Sequence, residues 1–447
     1  MTQQFTTQAL HLLQTKQFGA LKELGEKLNQ ESPNNPFGLK CIAMALNGEG
    51  ENEKSIELMK QISIQFPNDG ENWLNLGKSL HQKNMLLESH HALFQAYKLL
   101  PASVDSCNEL AKVLIKLYRY DEAHATLLQS FSIDSANLST VLMLSDVLVF
   151  LGNPLDAKTY LESVLSNHPK NPILHNHLAT TLQMLKEFSQ AIEHYKNALL
   201  LLLEYPLKHS KQNSHTSFNQ SLFEEELLKI LALFYSNTIN AFACSGTLLG
   251  LTREGHLLPF DKDIDIGVPF EKMDFAVELI QKNGYKEHQY SYMMSNPRVF
   301  RHEKSGLIID LCGHQKLEDT DLSIAGLWMD GVSLESNRVT VYQNKELELE
   351  TKTTEHGKIF EIKNKDAYLT RLYGSWKIKD THFDTIVMAP NIQSFSPLVE
   401  CFALDRIFFS LLSSNLTKAK ILSSHALSQK NSDLFYILLD KKIQTLG

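Results

Sequence analysis

Three acidic residues in apolar surroundings are the first candidates for chemistry in this sequence. Asp263 and Asp265 alternate with isoleucines in the stretch DIDIG, and Asp310 interrupts the apolar run LIIDLC. Residues two apart on a strand point to the same face, so Asp263 and Asp265 should project together. A buried acid without a partner is costly, and converging carboxylates are the usual ligands of a hard divalent cation. We therefore predict a Mg²⁺ (or Mn²⁺) site formed by these three acids.

Other elements must position these acids. The segment 241–250 predicts a short buried strand followed by a glycine-bearing turn, and Leu222 to Tyr235 has the apolar period of a helix. Two basic residues, Arg298 and Arg301, lie between the two acidic strands and could contact a substrate phosphate. A solvated strand edge is an equally good interpretation of this pair.

Four short motifs occur here in one order, and together they resemble the LicD/fukutin family, whose fold is that of the nucleotidyltransferases. The resemblance covers about residues 222–390. The motifs are SGTLLG (245–250), REG (253–255), PFDKDIDIG (259–267) and the later YLTRLYGSW (368–376). The resemblance implies an α/β (α+β) catalytic domain.

The family resemblance also implies an activity. Members transfer a phospho-linked group, such as phosphocholine or a polyol phosphate, from a CDP-activated donor to a glycan or glycoprotein acceptor. By this resemblance Asp263 and Asp265 are the metal-binding pair and Asp310 is the third acid, which could also accept the proton of the acceptor hydroxyl.

The same resemblance assigns the donor-binding residues. It implies that Gly246 and Thr247 form the turn that faces the donor phosphates, with Arg253 following it. Arg253 could instead pair with Glu254. The sequence departs from many bacterial members at Lys262, where they have another acid, which weakens any ligand role for Asp261.

Two other functions fit the same residues. Nucleotidyltransferase folds also move a whole nucleotide onto a hydroxyl or phosphate with the same acids. A non-catalytic adaptor with a ligand-sensing domain is the third interpretation, although the presence of all three acids argues against it.

The N-terminal part of the chain repeats every 34 residues. Prolines 33, 67, 101 and 169 follow this spacing, with Ser135 at the missing place. Small residues recur at two positions of each unit, as expected where helices cross closely. They are Ala43, Gly77, Ala111, Ser145 and Ala179 at the eighth position, and Ser55, Ser89, Ala123, Ala157 and Ala191 at the twentieth. The pattern resembles the tetratricopeptide repeat (TPR) over about residues 2–205.

The repeats predict an all-α solenoid whose concave surface binds a protein or peptide partner, or the acceptor. Dimerisation, or bracing of the C-terminal domain, is the alternative. The predicted plan is multidomain: a TPR array at 1–205, a polar linker at 206–221, the catalytic domain at 222–395 and a helical C-terminal extension at 396–447. The linker suggests that the two halves are separable in function.

Composition limits the partners and the location. The 447 residues include 51 acidic and 43 basic side chains, a net charge of −8, which argues against nucleic acid as a partner. The N-terminus lacks the features of a signal peptide, the apolar run 198–203 is too short to cross a bilayer, and the five cysteines are scattered. We therefore expect a cytoplasmic protein without a transmembrane segment. The apolar tail should pack on the catalytic domain or on a second copy of the chain, as in a homo-oligomer.

Overall fold

The chain forms two compact units, residues 1–151 and 152–447, in a computed structural model. The structure describes residues 3–204, 220–259, 263–288 and 293–446. The predicted linker at 206–221 falls outside these ranges except for its last two residues, and Gln220 and Ser221 already belong to a helix. None of the described helices is long and apolar enough to cross a membrane.

The first unit consists of helices, each packed against the next along the chain. Their loops are short, as expected for stacked helical hairpins. The helices are α1 (Gln3–Gln14), α2 (Phe18–Glu31), α3 (Phe37–Gly48), α4 (Asn52–Gln65), α5 (Gly70–Gln82), α6 (Leu86–Leu99), α7 (Val104–Lys116), α8 (Tyr120–Ile133) and α9 (Leu138–Phe150).

The 34-residue period is visible in how the odd-numbered helices begin. Asp69, Ser103 and Asn137 each accept a hydrogen bond from the amide three residues later, and Asn171 does the same one repeat further on. Side-chain oxygens of these types are the preferred N-caps, because they satisfy amides that have no partner within the helix. A capping residue at every thirty-fourth position therefore sets the start of these four repeats.

The small residues of the repeat lie where paired helices approach closely. All ten are buried. Ser55 donates a 2.7 Å hydrogen bond to the carbonyl of Ala43, and Ser89 donates one of the same length to Gly77. In these two repeats the side chain at the twentieth position thus bonds to the backbone of the eighth. This geometry confirms the predicted tetratricopeptide-type helical array.

The second unit begins with repeat helices and ends with tail helices that pack on them. Helix α18 of the tail lies against α11 and α12, and α19 and α20 follow it. The helices are α10 (Pro154–Leu165), α11 (Pro172–Met184), α12 (Phe188–Leu202), α13 (Gln220–Ser236), α14 (Ser245–Arg253), α15 (Met273–Lys282), α16 (Lys365–Tyr373), α17 (Thr385–Met388), α18 (Pro397–Leu412), α19 (Leu416–Gln429) and α20 (Leu434–Gln444).

A mixed sheet lies between these helices. Its main path runs β1-β2-β6-β5-β3, with β7 joining β6, β4 and β8, and among the described strands only β2 and β6 are parallel neighbours. A separate hairpin is formed by β9 and β10. The strands are β1 (Phe242–Ala243), β2 (Asp263–Pro269), β3 (Tyr285–Glu287), β4 (Met294–Asn296), β5 (Arg298–His302), β6 (Ile308–Lys316), β7 (Leu322–Met329), β8 (Arg338–Gln343), β9 (Leu349–Thr354) and β10 (Gly357–Ile362).

One face of this sheet is the core of the domain. Ile264 and Ile266 of β2 are fully buried there, in one cluster with Leu311 of β6 and with apolar residues of α13 and α15. Because side chains alternate across a strand, the intervening residues of β2 and β6 project from the opposite face. The predicted architecture of a helical solenoid, a mixed α/β domain and a helical tail is confirmed.

The segment 241–250 differs from its prediction. It forms only a two-residue strand, β1, and then helix α14, which begins at Ser245. The expected glycine-bearing turn is therefore the first turn of a helix. Ser245 has a φ of +43°, in the left-handed region, and this residue makes the sharp change from strand to helix.

Candidate active site

The register of two parallel strands brings the predicted acids together. Asp265 of β2 lies directly opposite Asp310 of β6, and Asp263 lies opposite Ile308. Neighbouring strands are about 4.8 Å apart, so the Asp265 and Asp310 side chains start close together on one face. Asp263 shares that face, because it is two residues from Asp265.

Helix α14 presents its N-terminus to one of these acids. Asp265 Oδ2 accepts hydrogen bonds from the backbone amides of Gly246 at 2.9 Å and Thr247 at 3.4 Å. The Thr247 hydroxyl in turn accepts a 2.8 Å bond from the amide of Asp265. Amides in the first turn of a helix lack helical partners and attract negative charge. In this structure Gly246 and Thr247 therefore hold an acid in place, whereas the sequence predicted that they face a phosphate.

The acid-bearing face opens into a cleft of about 440 Å³. Asp263, Asp265 and Asp310 all line it, together with Ser245 and Gly246 at the start of α14. A volume of this size is typical of small-molecule sites. The other lining residues come from β6, β7, β8 and the segments 368–373, 383–386 and 406. They include Cys312, His314, Arg338, Tyr342, Tyr368, Asp384 and Arg406.

Aromatic rings form the floor of this cleft. Tyr342 and Tyr368 stack with centroids 5.2 Å apart, and the His314 ring lies 5.7 Å from that of Tyr342. His314 Nδ1 donates a 3.0 Å bond to the carbonyl of Cys312, which makes Nε2 an acceptor. Burial lowers the pKa of His314 to about 4, so the ring is neutral near pH 7.

Two arginines that the sequence analysis did not select also line the cleft. Arg338 is buried and donates to the carbonyls of Thr385 at 2.7 Å and Ile386 at 2.8 Å. Arg406 of α18 pairs with the buried Asp384 at 3.0 Å. Burial lowers the pKa of the Arg338 guanidinium. A sequence signal was available for Arg406, which lies with Asp405 in the otherwise apolar run FALDRIFF (402–409), but Arg338 follows the polar residues ESN and had no such signal.

Arg253 is not brought to the acids. It is the last residue of α14, whereas Gly246 is in the first turn, so the two are separated by about 10 Å of helix. Its guanidinium pairs with Glu254 at 2.9 Å and donates to the carbonyl of Trp376 at 3.2 Å. Arg253 does not line the cleft. Its geometry matches the pairing with Glu254 that the sequence offered as the alternative to phosphate binding.

Arg298 and Arg301 are on opposite faces of β5. Arg298 is opposite Leu311, on the core face, and it forms an ion pair with Glu287 outside the acidic cleft. Arg301 is opposite Ile308, on the same face as the three acids. Strand parity therefore separates this pair, and only Arg301 faces the acidic side of the sheet.

The donor set suits a hard divalent cation in its chemistry. The three acids supply carboxylate oxygens, which Mg²⁺ prefers, from neighbouring positions on one sheet face. In the described ranges, however, no three His, Cys, Asp or Glu side chains are grouped as a complete metal site. Mg²⁺ usually keeps several waters and binds one or two carboxylates together with substrate phosphates, so an incomplete protein shell is compatible with it. Asp261 and Lys262 lie outside the described residues.

The part of the chain that carries Asp263 and Asp265 matches a known family. The model described as LicD/FKTN/FKRP, nucleotidyltransferase domain, matches residues 238–308. This match is shorter than the 222–390 resemblance seen in the sequence and ends just before Asp310. A comparison with curated proteins found no match.

Several solved structures are similar to part of the chain. MamA is 18% identical, over 36% of this chain and 94% of its own, with a TM-score of 0.34. YrrB, described as a TPR protein with an unusual peptide-binding site, is 16% identical, over 40% of this chain and 91% of its own, with a TM-score of 0.37. A tetratricopeptide repeat protein from Parabacteroides merdae is 11% identical, over 45% and 84%, with a TM-score of 0.37.

The family match and the geometry of the site point to the same segment of the chain. A domain of this family indicates a transferase of the phosphotransferase or nucleotidyltransferase type. The strands and helices between residues 238 and 308 include β2, α14 and the start of β6, which carry Asp263 and Asp265 and lead directly to Asp310. Residues 238–308 are therefore a LicD-family nucleotidyltransferase domain, in a chain that begins with tetratricopeptide-type repeats.

Proposed function

We propose that this protein transfers a phospho-linked group, of the phosphocholine or polyol-phosphate type, from a CDP-activated donor to a hydroxyl of a glycan or glycoprotein. The main support is the alignment of Asp265 with Asp310 on the open face of two parallel strands, inside a cleft that also holds arginines. Acids for a cation and arginines for phosphate, facing one cavity, are the parts that phosphoryl transfer requires.

The acids have distinct tasks in this proposal. Asp263, Asp265 and Asp310 would hold one or two Mg²⁺ (or Mn²⁺) ions. Such ions, when bound, neutralise phosphate oxygens and stabilise the leaving nucleotide. The bonds from Gly246 and Thr247 fix the Asp265 carboxylate, so that its orientation is set before substrate enters.

The reaction is a displacement at phosphorus. The oxygen of the acceptor hydroxyl forms a bond to the phosphorus of the transferred group, the bond from that phosphorus to the CMP oxygen breaks, and CMP leaves. Asp310 takes the hydroxyl proton and later releases it to water. The stacked aromatic rings of the lining would limit the room for water beside them, which would favour transfer over hydrolysis.

The repeats have a recruiting role in this proposal. The concave surface of a helical repeat array is a common binding surface for peptides and proteins. A protein partner, or a glycoprotein acceptor, held there would raise the local concentration of acceptor at the cleft. Pull-down of the acceptor by the full chain, but not by a chain lacking residues 1–151, would support this role.

The test of the activity is the release of CMP. The purified full chain is incubated with MgCl₂ and with CDP-choline or CDP-linked polyols, and nucleotides are separated by chromatography. We expect slow, EDTA-sensitive release of CMP even without acceptor, because water can replace the hydroxyl. Absence of CMP with every CDP-linked donor would contradict the proposal.

A second candidate is supported by the nucleotidyltransferase description of the matching family. The same acids could direct a hydroxyl or phosphate to the α-phosphorus of a nucleoside triphosphate, and pyrophosphate would then be the leaving group. Incubation with each nucleoside triphosphate distinguishes the two. Released pyrophosphate with no CMP from CDP-linked donors would favour nucleotide transfer.

A further inference from the structure

The wall of the cleft that lies outside the family match is cationic. Arg406 comes from tail helix α18 and Arg338 from β8, and both line the cleft. Neither belongs to residues 238–308. The tail, whose role the sequence left open, therefore contributes a charged side chain to the same cavity as the three acids.

The charges on this wall do not balance. The single carboxylate of Asp384 is shared, because Oδ2 lies 3.0 Å from both Arg406 and Lys418. Arg338 donates to the carbonyls of Thr385 and Ile386, which are neutral groups. Within the described residues, Arg406 and Lys418 therefore share the carboxylate of Asp384, and Arg338 adds a further positive side chain to the cleft.

Arg406 also has hydrogen-bonding capacity to spare. Its Nη1 is engaged with Asp384, but its Nε is buried and has no hydrogen-bond partner in the described part of the chain. A buried donor without an acceptor is destabilising, and a ligand that supplies an acceptor relieves the cost. The guanidinium fork fits the oxygens of a phosphate group particularly well.

The position of Arg406 is fixed by packing on both sides of α18. Its neighbour Asp405 accepts a 3.1 Å bond from Asn176 of α11. Six residues before Arg406, Glu400 accepts a 2.8 Å bond from Tyr436 of α20 and pairs with Lys430 at 2.9 Å. Binding groups on rigid, packed helices lose little freedom when they meet a ligand.

We propose that Arg406, with Arg338 beside it, is a phosphate-binding subsite for the diphosphate of the nucleotide donor. This inference rests on the proposed function, because the three acids that line the same cleft would hold the cation that such a diphosphate brings. The same phosphate chemistry could also come from a phosphorylated sugar acceptor, and the experiment distinguishes these sources.

The test measures binding to the full-length chain by calorimetry. With MgCl₂ present, the ligands are CDP, cytidine, inorganic pyrophosphate and glucose 6-phosphate. We expect Arg406→Gln to weaken CDP and pyrophosphate by about 10- to 100-fold, since hydrogen bonds to charged groups have this range of strength, and to leave cytidine unchanged. The matched control is Arg371→Gln, which removes an arginine paired with Glu346 outside the cleft and should not alter binding.

The outcomes separate the subsite from the activity. If Arg406→Gln lost only its binding of glucose 6-phosphate, the assignment to the donor would be overturned. If its affinities for CDP and pyrophosphate were unchanged, the subsite itself would be overturned. Pyrophosphate binding that depends on Arg406, without CMP release from any donor, would support the subsite and contradict the proposed activity. CMP release that is unchanged by Arg406→Gln would support the proposed activity and contradict the subsite.

A second measurement covers the case in which Arg406→Gln does not fold. Arg406→Lys keeps the charge that pairs with Asp384, so it should fold. In nuclear magnetic resonance (NMR) spectra of the two proteins, the Nε–H resonance that is absent from Arg406→Lys is that of Arg406. Addition of pyrophosphate to the unaltered chain should shift that resonance. An unmoved resonance at saturating pyrophosphate would overturn the subsite.

Discussion

The carboxylate of Asp265 accepts a 2.9 Å hydrogen bond from the backbone amide of Gly246, so one acid both lines the cleft and completes the N-terminus of α14. A structural role and a proposed catalytic role thus fall on the same side chain. The two roles need different chemistry. Capping requires only an oxygen acceptor, whereas cation binding requires the negative charge.

This double role leads to a first prediction for Asp265. In Asp265→Asn the amide oxygen can still accept the bond from Gly246, and repulsion from Asp310 is removed. We expect the Tm to be unchanged or to rise, while CMP release falls to background. Asp265→Ala should also lose the capping bond, at about 1 kcal/mol, which lowers the Tm by ~2–4 °C for a domain of this size. Equal melting of the two variants would argue against the capping role.

A second prediction concerns the proton acceptor. Asp310→Asn cannot take the hydroxyl proton, so we expect the rate of transfer to fall by about 10²- to 10⁴-fold. Donor affinity should fall less than the rate, because Asp263 and Asp265 can still hold the cation when Asp310 has lost its charge. The matched control is Asp366→Asn, an exposed acid paired with Lys377 on the same domain, which should retain full rate. Undiminished transfer by Asp310→Asn would remove this residue from the mechanism.

A third prediction tests the close helix crossing in the array. A Cβ at Gly77 would lie 2.4 Å from Cγ of Leu93, so Gly77→Ala should destabilise the first unit by about 1–3 kcal/mol. Gly19 in α2 has no atom within 4 Å of its Cβ position. Gly19→Ala should therefore stabilise the same unit by about 0.5–1 kcal/mol. Urea unfolding followed by circular dichroism measures both, and CMP release should be unchanged in either variant.

A fourth prediction follows from the buried His314. Its folded pKa of about 4 is below the usual 6.5, so the unfolded chain binds more protons between these values. This contribution to stability is complete above about pH 6.5 and is lost as the pH falls towards 4. Between pH 7 and pH 5 the loss should be about 2 kcal/mol.

The variant His314→Gln isolates this effect from that of other buried histidines. Gln keeps a donor for the Cys312 carbonyl but does not titrate. The free energy of unfolding of the variant should therefore fall less on acidification than that of the unaltered chain. Parallel pH profiles for the two proteins would contradict the assignment of the shift to His314.

A fifth prediction concerns where the chain can be cut. The polar linker suggested that the two halves of the chain are separable, but a fragment that begins within it, near Gln212, lacks α11 and α12, which pack on α18. The bond from Asn176 to Asp405 and the ion pair of Lys196 with Asp433 would both be missing. We expect the fragment 212–447 to melt earlier and to aggregate, and the fragment 152–447 to remain monodisperse. Chromatography and thermal melting compare them.

The sequence alone determined the features that depend on local periodicity. The 34-residue spacing indicated the repeats, because each unit needs a cap, a small crossing residue and an apolar face at fixed offsets. Strand alternation likewise placed Asp263 and Asp265 on one face, opposite Ile264 and Ile266. These properties are set by the geometry of a single helix or strand, and they appear in the structure as expected.

Features that depend on contacts distant in the chain were decided only by the tertiary structure. Local propensity did not indicate that the SGTLLG segment would form a helix. The first amides of this helix are satisfied by the Asp265 carboxylate, which is nineteen residues away in the chain and is brought there only by the fold. The strand register places Arg298 on the sheet face opposite to the acids. Arg253 is the last residue of α14, at the end of the helix that is distant from the acids. Arg338 and Arg406 reach the cleft because β8 and α18 pack beside it, and no local pattern encodes which distant surface will cover a given helix.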